Sequence, residues 1–343
     1  MPMDERKHRV LQAIIQDYIT TAEPVGSRSI ARKYDLGVSP ATIRNEMADL
    51  EEMGYLEQPY TSAGRVPSDK GYRFYVDCIM EKDQLSEAEE NFIKMQFAKK
   101  MEEIEEVIKK TSDLLSQLTQ YTALVLGPNL SSSIFRYVQM SLIETGKALL
   151  VIVTQTGSVK HKIMDVPANF SQKDLNKVSM VLNSKLKGIA FEKVKKSVLD
   201  EIYNELIKEK ILLETVLEIL NNTLNNSNTE NIFLGGTLNI LNQPEFRDVE
   251  KIKSILGILE EKDILRKLMQ YNDKMDGITV KIGEENPFEE VRNCSLITAT
   301  YHMNGEVVGS IGILGPTRMK YSKTIALVEY ITQVLSNTLS NGK

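Results

Sequence analysis

Residues 39–54, SPATIRNEMADLEEMG, constrain this chain more than any other stretch. Ser39 reads as an N-cap, and Pro40 then occupies the first helical position, where its missing N–H costs nothing. Gly54 reads as the left-handed residue that ends the helix. Ile43, Met47 and Leu50 fall at i, i+4 and i+7 and form one apolar stripe. The opposite flank carries Ala41, Thr42, Asn45 and Ala48, with Arg44 at its edge. An ordinary solvated flank would carry Glu and Lys. Short, uncharged, hydrogen-bonding side chains suit close approach to base edges in a major groove, with Asn or Arg to read them. The acidic Asp49, Glu51 and Glu52 come later, where such a helix would leave the groove.

The surrounding eighty residues read as a holder for that helix. Residues 4–20 form an amphipathic helix with Val10, Leu11, Ile14, Ile15, Tyr18 and Ile19 on one side. Residues 27–34 form a short second helix capped by Ser27, and residues 35–38 make the turn into the third. A short helix, a glycine-containing turn and a longer helix make a helix-turn-helix. Residues 55–60, a turn at 61–65 and residues 66–68 follow as a two-stranded wing. Cations mark the expected contacts. Ser27 and Arg28, at a helix N-terminus, suit a phosphate. Arg44 lies on the third helix, Arg65 at the expected wing tip suits a minor groove, and Lys70 and Arg73 follow it. Ser39, Thr42 and Asn45 complete the candidate DNA-binding set. A packing module with scattered surface arginines is the competing reading.

The run PVGSRSIARKYDLGVSPATIRNEMADLEEMGYLEQPYTSAGRVPSDKGYRFYVD, with IFLGGTLNILNQPEF at 232–246 and GSIGILGPTRMKYS at 309–322, resembles the bacterial HrcA family of heat-inducible transcription repressors. The resemblance spans almost the whole chain. It implies a homodimeric repressor of chaperone operons that binds an inverted-repeat, CIRCE-type operator and depends on the GroEL chaperonin for its active form. It also implies a GAF-like fold and an inserted dimerising domain beyond the winged helix-turn-helix.

On this reading the chain is an α+β multidomain protein. Residues 1–80 are the DNA-binding domain. Residues 81–195 with 277–343 are the GAF-like domain, entered through a helical linker region at 81–120, and 196–276 are the insert. Residues 69–80 and 86–119 have helical periodicity. Residues 134–145, 148–156 and 158–166 are β-rich, with turns at Gly146 and Gly157, and 149–153 reads as a central strand. Residues 171–187 form a helix. Strands resume at 278–282, 294–303 and 306–314, with a hairpin signal at Asn304-Gly305, and a helix over 322–339 closes the chain. Strands on both sides of the 196–276 block predict one domain completed by the C-terminal segment. Within that block, 198–220 and 249–269 are helical and 221–231 is an Asn-rich connector. Leu206, Ile207, Ile211, Leu212, Leu213, Val216, Leu217 and Leu220 need either intramolecular cover or a second subunit.

The net charge of −5 means that nucleic-acid binding must rest on local placement of cations. No apolar run reaches about 18 residues, so no membrane span is expected, and the N-terminus has no apolar signal core. Two distant cysteines, Cys78 and Cys294, suit a reducing cytoplasm. Catalytic chemistry is not signalled. His8, His161 and His302 stand apart, no Walker-A or dinucleotide fingerprint is present, and no His/Cys set suggests a metal. Glu284-Glu285 and Glu289-Glu290 read as solvated loop residues. No cofactor is expected. The alternative function is a winged-helix regulator whose GAF-like domain senses a small molecule.

Overall fold

The computed structural model describes residues 3–341 except 62, 99–103, 128–133, 155–158, 190–193, 195, 231 and 271–276, with residues 221–230, 270 and 341 described as helix backbone. Three helices form the head: α1 (Glu5–Thr21), α2 (Ser27–Lys33) and α3 (Pro40–Glu52). They meet through Val10, Leu11, Ile14, Ile30, Ile43, Met47 and Leu50, all buried. The α2 cap differs from expectation. Gly26 is the N-cap residue, and Ser27 is the first helical residue. Strands β1 (Leu56–Glu57) and β2 (Val66–Pro67) pair antiparallel, and a bridge between Val25 and Arg65 adds a rung. Next, α4 (Asp69–Phe74) is capped by Ser68 and runs on as a π-helical turn, Tyr75–Ile79, where one continuous helix is expected.

The 86–119 segment is two helices, α5 (Glu87–Ala98) and α6 (Ile104–Thr119). They lead into β3 (Thr122–Leu126), a strand that the sequence reading missed. It joins a five-stranded antiparallel sheet in the order β7 (Ile232–Gly235), β3, β10 (Glu306–Pro316), β9 (Cys294–Met303), β8 (Ile278–Ile282). Positive φ at Asn304 and Gly305 closes the expected β9–β10 hairpin. One sheet face, with Val125, Ile297, Ile311 and Ile313, shares its core with the head, α6 and the C-terminal helix α12 (Tyr321–Asn341). The other face, with Leu124, Leu296 and Leu314, packs under α10 (Val249–Glu260) and α11 (Lys262–Gln270). Gly235 permits α6 to lie on β7, since a Cβ there would fall 2.3 Å from the Ser112 carbonyl oxygen.

The β-rich run at 134–166 does not enter that sheet. β4 (Phe135–Glu144), β5 (Lys147–Thr154) and β6 (Val159–Asp165) form a separate antiparallel sheet with β5 central. Its inner face packs with α7 (Gln172–Leu186), α8 (Lys196–Glu205) and α9 (Lys210–Glu230) around Phe135, Val138, Leu150, Leu182 and Val216. The strands over 135–165 and those over 278–316, expected in one domain of 81–195 with 277–343 interrupted by the insert at 196–276, thus lie in two different sheets. The excursion leaves after β3 and returns at β7, the strand beside it, while residues 232–270 cover the core sheet. Alternation of side chains identifies a strand but not its sheet.

Two further expectations change. Helix α9 continues through the Asn-rich stretch to Glu230, whereas residue 231 and the turn at Gly157 lie outside the described residues. The long apolar surface on 206–220 is mostly satisfied internally: Leu206, Leu212, Leu213, Val216 and Leu220 are buried, while Ile207 and Ile211 are 71% and 64% exposed. Among the described residues no helix is long and apolar enough to cross a membrane.

Candidate nucleic-acid interface

Helix α3 is fixed at both ends by its own sequence. The Ser39 hydroxyl accepts the Thr42 N–H at 3.1 Å and lies 3.0 Å from the Thr42 hydroxyl. At the other end, the Gly54 N–H donates to the Glu51 carbonyl and the Tyr55 N–H to the Leu50 carbonyl, both at 2.9 Å. Gly54 sits at φ +76. This pair of bonds with a left-handed glycine is the Schellman arrangement. With Ile43, Met47 and Leu50 turned into the core, the far flank is left outward. Ala41, Arg44, Asn45 and Ala48 are exposed and Thr42 is half-buried.

Glu46, Asp49 and Glu51 of α3 are tied to cations of the head. Lys7, buried on α1, places Nζ 2.9 Å from Glu46 and 3.1 Å from Asp49. The Glu46 and Asp49 carboxylates beside it raise the Lys7 pKa above the ordinary lysine range. Glu46 is itself buried, and Arg6 reaches it at 3.4 Å. The sequence reading missed this buried cluster. Its signal was a Lys on α1 and a Glu on α3, each at a position that the periodicity turns inward.

The predicted cations divide into two groups. Among the described residues, Arg28 and Arg44 are exposed and have no ion-pair partner; Arg32, which the sequence reading passed over, shares both properties. Lys70 is exposed, donates to the Met53 carbonyl at 2.8 Å and stands 4.5 Å over the Tyr55 ring. An ammonium has three donors, so two remain. The other two arginines have ion-pair partners within the protein. Arg65 lies at the loop end of β2, bridged to Val25, with its guanidinium 2.7 Å from Glu51. Arg73 donates to both Glu285 oxygens, at 2.8 and 2.5 Å, and to the Val280 carbonyl at 2.6 Å. Against the cost of burial, Arg73 and the Ile282 N–H hold the Glu285 carboxyl below its usual range. Glu285 is thus an ion-pair partner and not a free loop acid. Ser27, at the start of α2, is half-buried beside exposed Arg28.

His8 packs its ring against Phe74, with centroids 5.2 Å apart. Among the described residues no group of His, Cys, Asp and Glu could hold a metal ion.

Comparison with known proteins places this arrangement in one family. The HrcA protein C-terminal domain family matches residues 105–325. The heat-inducible transcription repressor HrcA of Carboxydothermus hydrogenoformans is 51% identical over 340 residues, covering 99% of each chain. Its namesake in Pelotomaculum thermopropionicum is 49% identical over 339 residues, covering 99% of this chain and 97% of its own. A crystal structure of a hypothetical protein at 2.2 Å resolution matches 100% of both chains with a TM-score of 0.68 and 23% identity, a likeness of fold. With a family match across most of the core and near-full-length relatives at about half identity, the chain belongs to the HrcA family.

Proposed function

We propose that the chain is a homodimeric DNA-binding repressor of chaperone operons, with the head acting as a winged helix-turn-helix. The observation that carries this reading is the outward flank of α3, uncharged and short, with Asn45 exposed upon it and exposed Arg44 at its edge. Thr42, Arg44 and Asn45 read base edges in the major groove. Ser27, Arg28, Ser39 and Lys70 hold phosphates. One α3 per subunit meets one half-site, so the operator is an inverted repeat of the CIRCE type. The relatives' name, heat-inducible transcription repressor, supports the repressor assignment.

The excursion supplies the dimer contact in this scheme, and the five-stranded sheet with its helices is the GAF-like domain. The outer face of the three-stranded sheet supports the first assignment. Tyr137, Ile143, Val159 and Ile163 are 45–60% exposed there, an apolar surface that a second copy would cover. The GroEL chaperonin keeps the repressor competent by acting on its unfolded form, and heat diverts that chaperonin to other unfolded chains. No observation favours a metabolite sensor.

A gel-shift titration of Asn45→Ala against operator and scrambled duplex tests base reading. A lost base contact costs about 1–3 kcal/mol on the operator alone. Equal weakening on both duplexes refutes the role of Asn45. Recovery of operator binding after dilution from denaturant, identical with and without GroEL, removes the chaperonin from the scheme.

A further inference from the structure

The head is gripped by the core along one side of α4. Arg73 forks onto Glu285 and reaches the Val280 carbonyl. Four residues earlier on the same helix face, Asp69 accepts the Glu284 N–H at 2.9 Å. Between them stands Gly283, at φ +54. A Cβ there would fall 1.7 Å from an Asp69 carboxylate oxygen, so the loop closes on α4 only with glycine at this position. Behind these bonds Tyr72 is buried, its ring centroid 5.8 Å from that of Tyr321. At the far edge of the head, Arg318 donates to the Ile19 carbonyl at 2.5 Å and is paired with Glu245.

The two kinds of contact act differently. Tyrosine packing resists separation but is non-directional, so by itself it allows the helix to roll. A bidentate arginine–carboxylate fork fixes orientation, and the Asp69 bond fixes it a second time one turn away. We infer that Arg73, Asp69, Gly283 and Glu285 are positioning residues. They set the angle at which the core presents α3, and so the half-site spacing that a dimer accepts. This inference rests on the dimeric operator-binding reading.

Binding is measured for the full-length protein on three duplexes: the operator, the operator with two base pairs inserted at its centre, and a single half-site. Two extra base pairs rotate one half-site by about 70° and shift it by about 7 Å, given about 10.5 base pairs per turn. The wild type is expected to lose affinity about tenfold or more on the lengthened operator. Arg73→Gln is expected to lose about threefold or less, with single-half-site affinity unchanged. Glu285→Gln, which removes the charge at constant size, is the second variant and carries the test if Arg73→Gln melts before the wild type. A folded variant with the wild-type spacing penalty overturns the inference. So does a drop in single-half-site affinity with a salt slope reduced by about one, which would return Arg73 to the phosphate contacts. A wild type indifferent to spacing while still preferring operator half-site sequence refutes the dimer geometry instead. A wild type with no sequence preference refutes the DNA-binding reading itself.

Discussion

Replacing Lys7 by alanine tests whether α3 is seated by a buried charge cluster. Lys7 Nζ lies 2.9 Å from Glu46, 3.1 Å from Asp49 and 3.7 Å from Asp4, and the Lys7 and Glu46 side chains are only 9% and 10% exposed. Removing one partner of a buried pair costs about 3–5 kcal/mol, because a charge is left without compensation. Arg6, at 3.4 Å and 56% exposed, can take up part of that loss, so the lower end, about 3 kcal/mol, is expected. A chain with several cores has no single unfolding free energy, so the measurement must be local. Amide hydrogen exchange at Ile43, Met47 and Leu50 should accelerate about a hundredfold, at about 1.4 kcal/mol per decade. The double variant Lys7→Met/Glu46→Leu removes both charges at similar volume and should exchange near the wild-type rate. Because the folded Lys7 pKa is raised above 10.5, its contribution is complete below that pH and is lost only as pH rises beyond it. Neutral and mildly alkaline buffers should give the same result. Exchange in Lys7→Ala within about threefold of wild type, or a double variant as labile as the single, refutes the argument.

Two other perturbations have defined outcomes. Glu89 is bonded to Lys323 and to Ser86, which lowers its pKa from 4.5 to about 2; the α5–α12 contact should be intact above pH 4.5 and weaken as pH falls toward 2, read as accelerating exchange of α5 amides, and Glu89→Gln should remove that acid dependence. Burial pushes the Cys294 thiol up to about 12, whereas Cys78 is exposed, so a thiol reagent at neutral pH should label one site per native chain, and a second label before unfolding would contradict the buried placement.

The head was legible because its determinants are local. The cap at Ser39, the stop at Gly54 and the stripe of Ile43, Met47 and Leu50 all lie within one helix, and the outward flank follows from them. The ion-pair partners of Arg65 and Arg73 were not legible for the opposite reason. Those partners, Glu51 and Glu285, are 14 and 212 residues away in sequence, and spacing along a chain carries no information about such meetings. The sheets divided the same way. The strands over 135–165 and 278–316 are marked by the turns and hairpin signals between them, whereas β3, all five residues of it buried, is entered directly from α6 without such a signal. Without it the two groups of strands look continuous. Once β3 is placed, between β7 and β10, the excursion is seen as everything that separates two adjacent strands.

That placement also imposes an order on synthesis. Leu126 in β3 finds its partner Ser310 in β10 about 180 residues later, an interval on the order of 10–40 s at ribosomal rates of about 5–20 residues per second. β7 can pair with β3 and meet α6 once residues 232–235 emerge, but the other edge of β3 stays open until β10 arrives. A newly made chain is thus obliged to remain incomplete at its centre until its last strands emerge, which lengthens the time during which it must be kept from clumping.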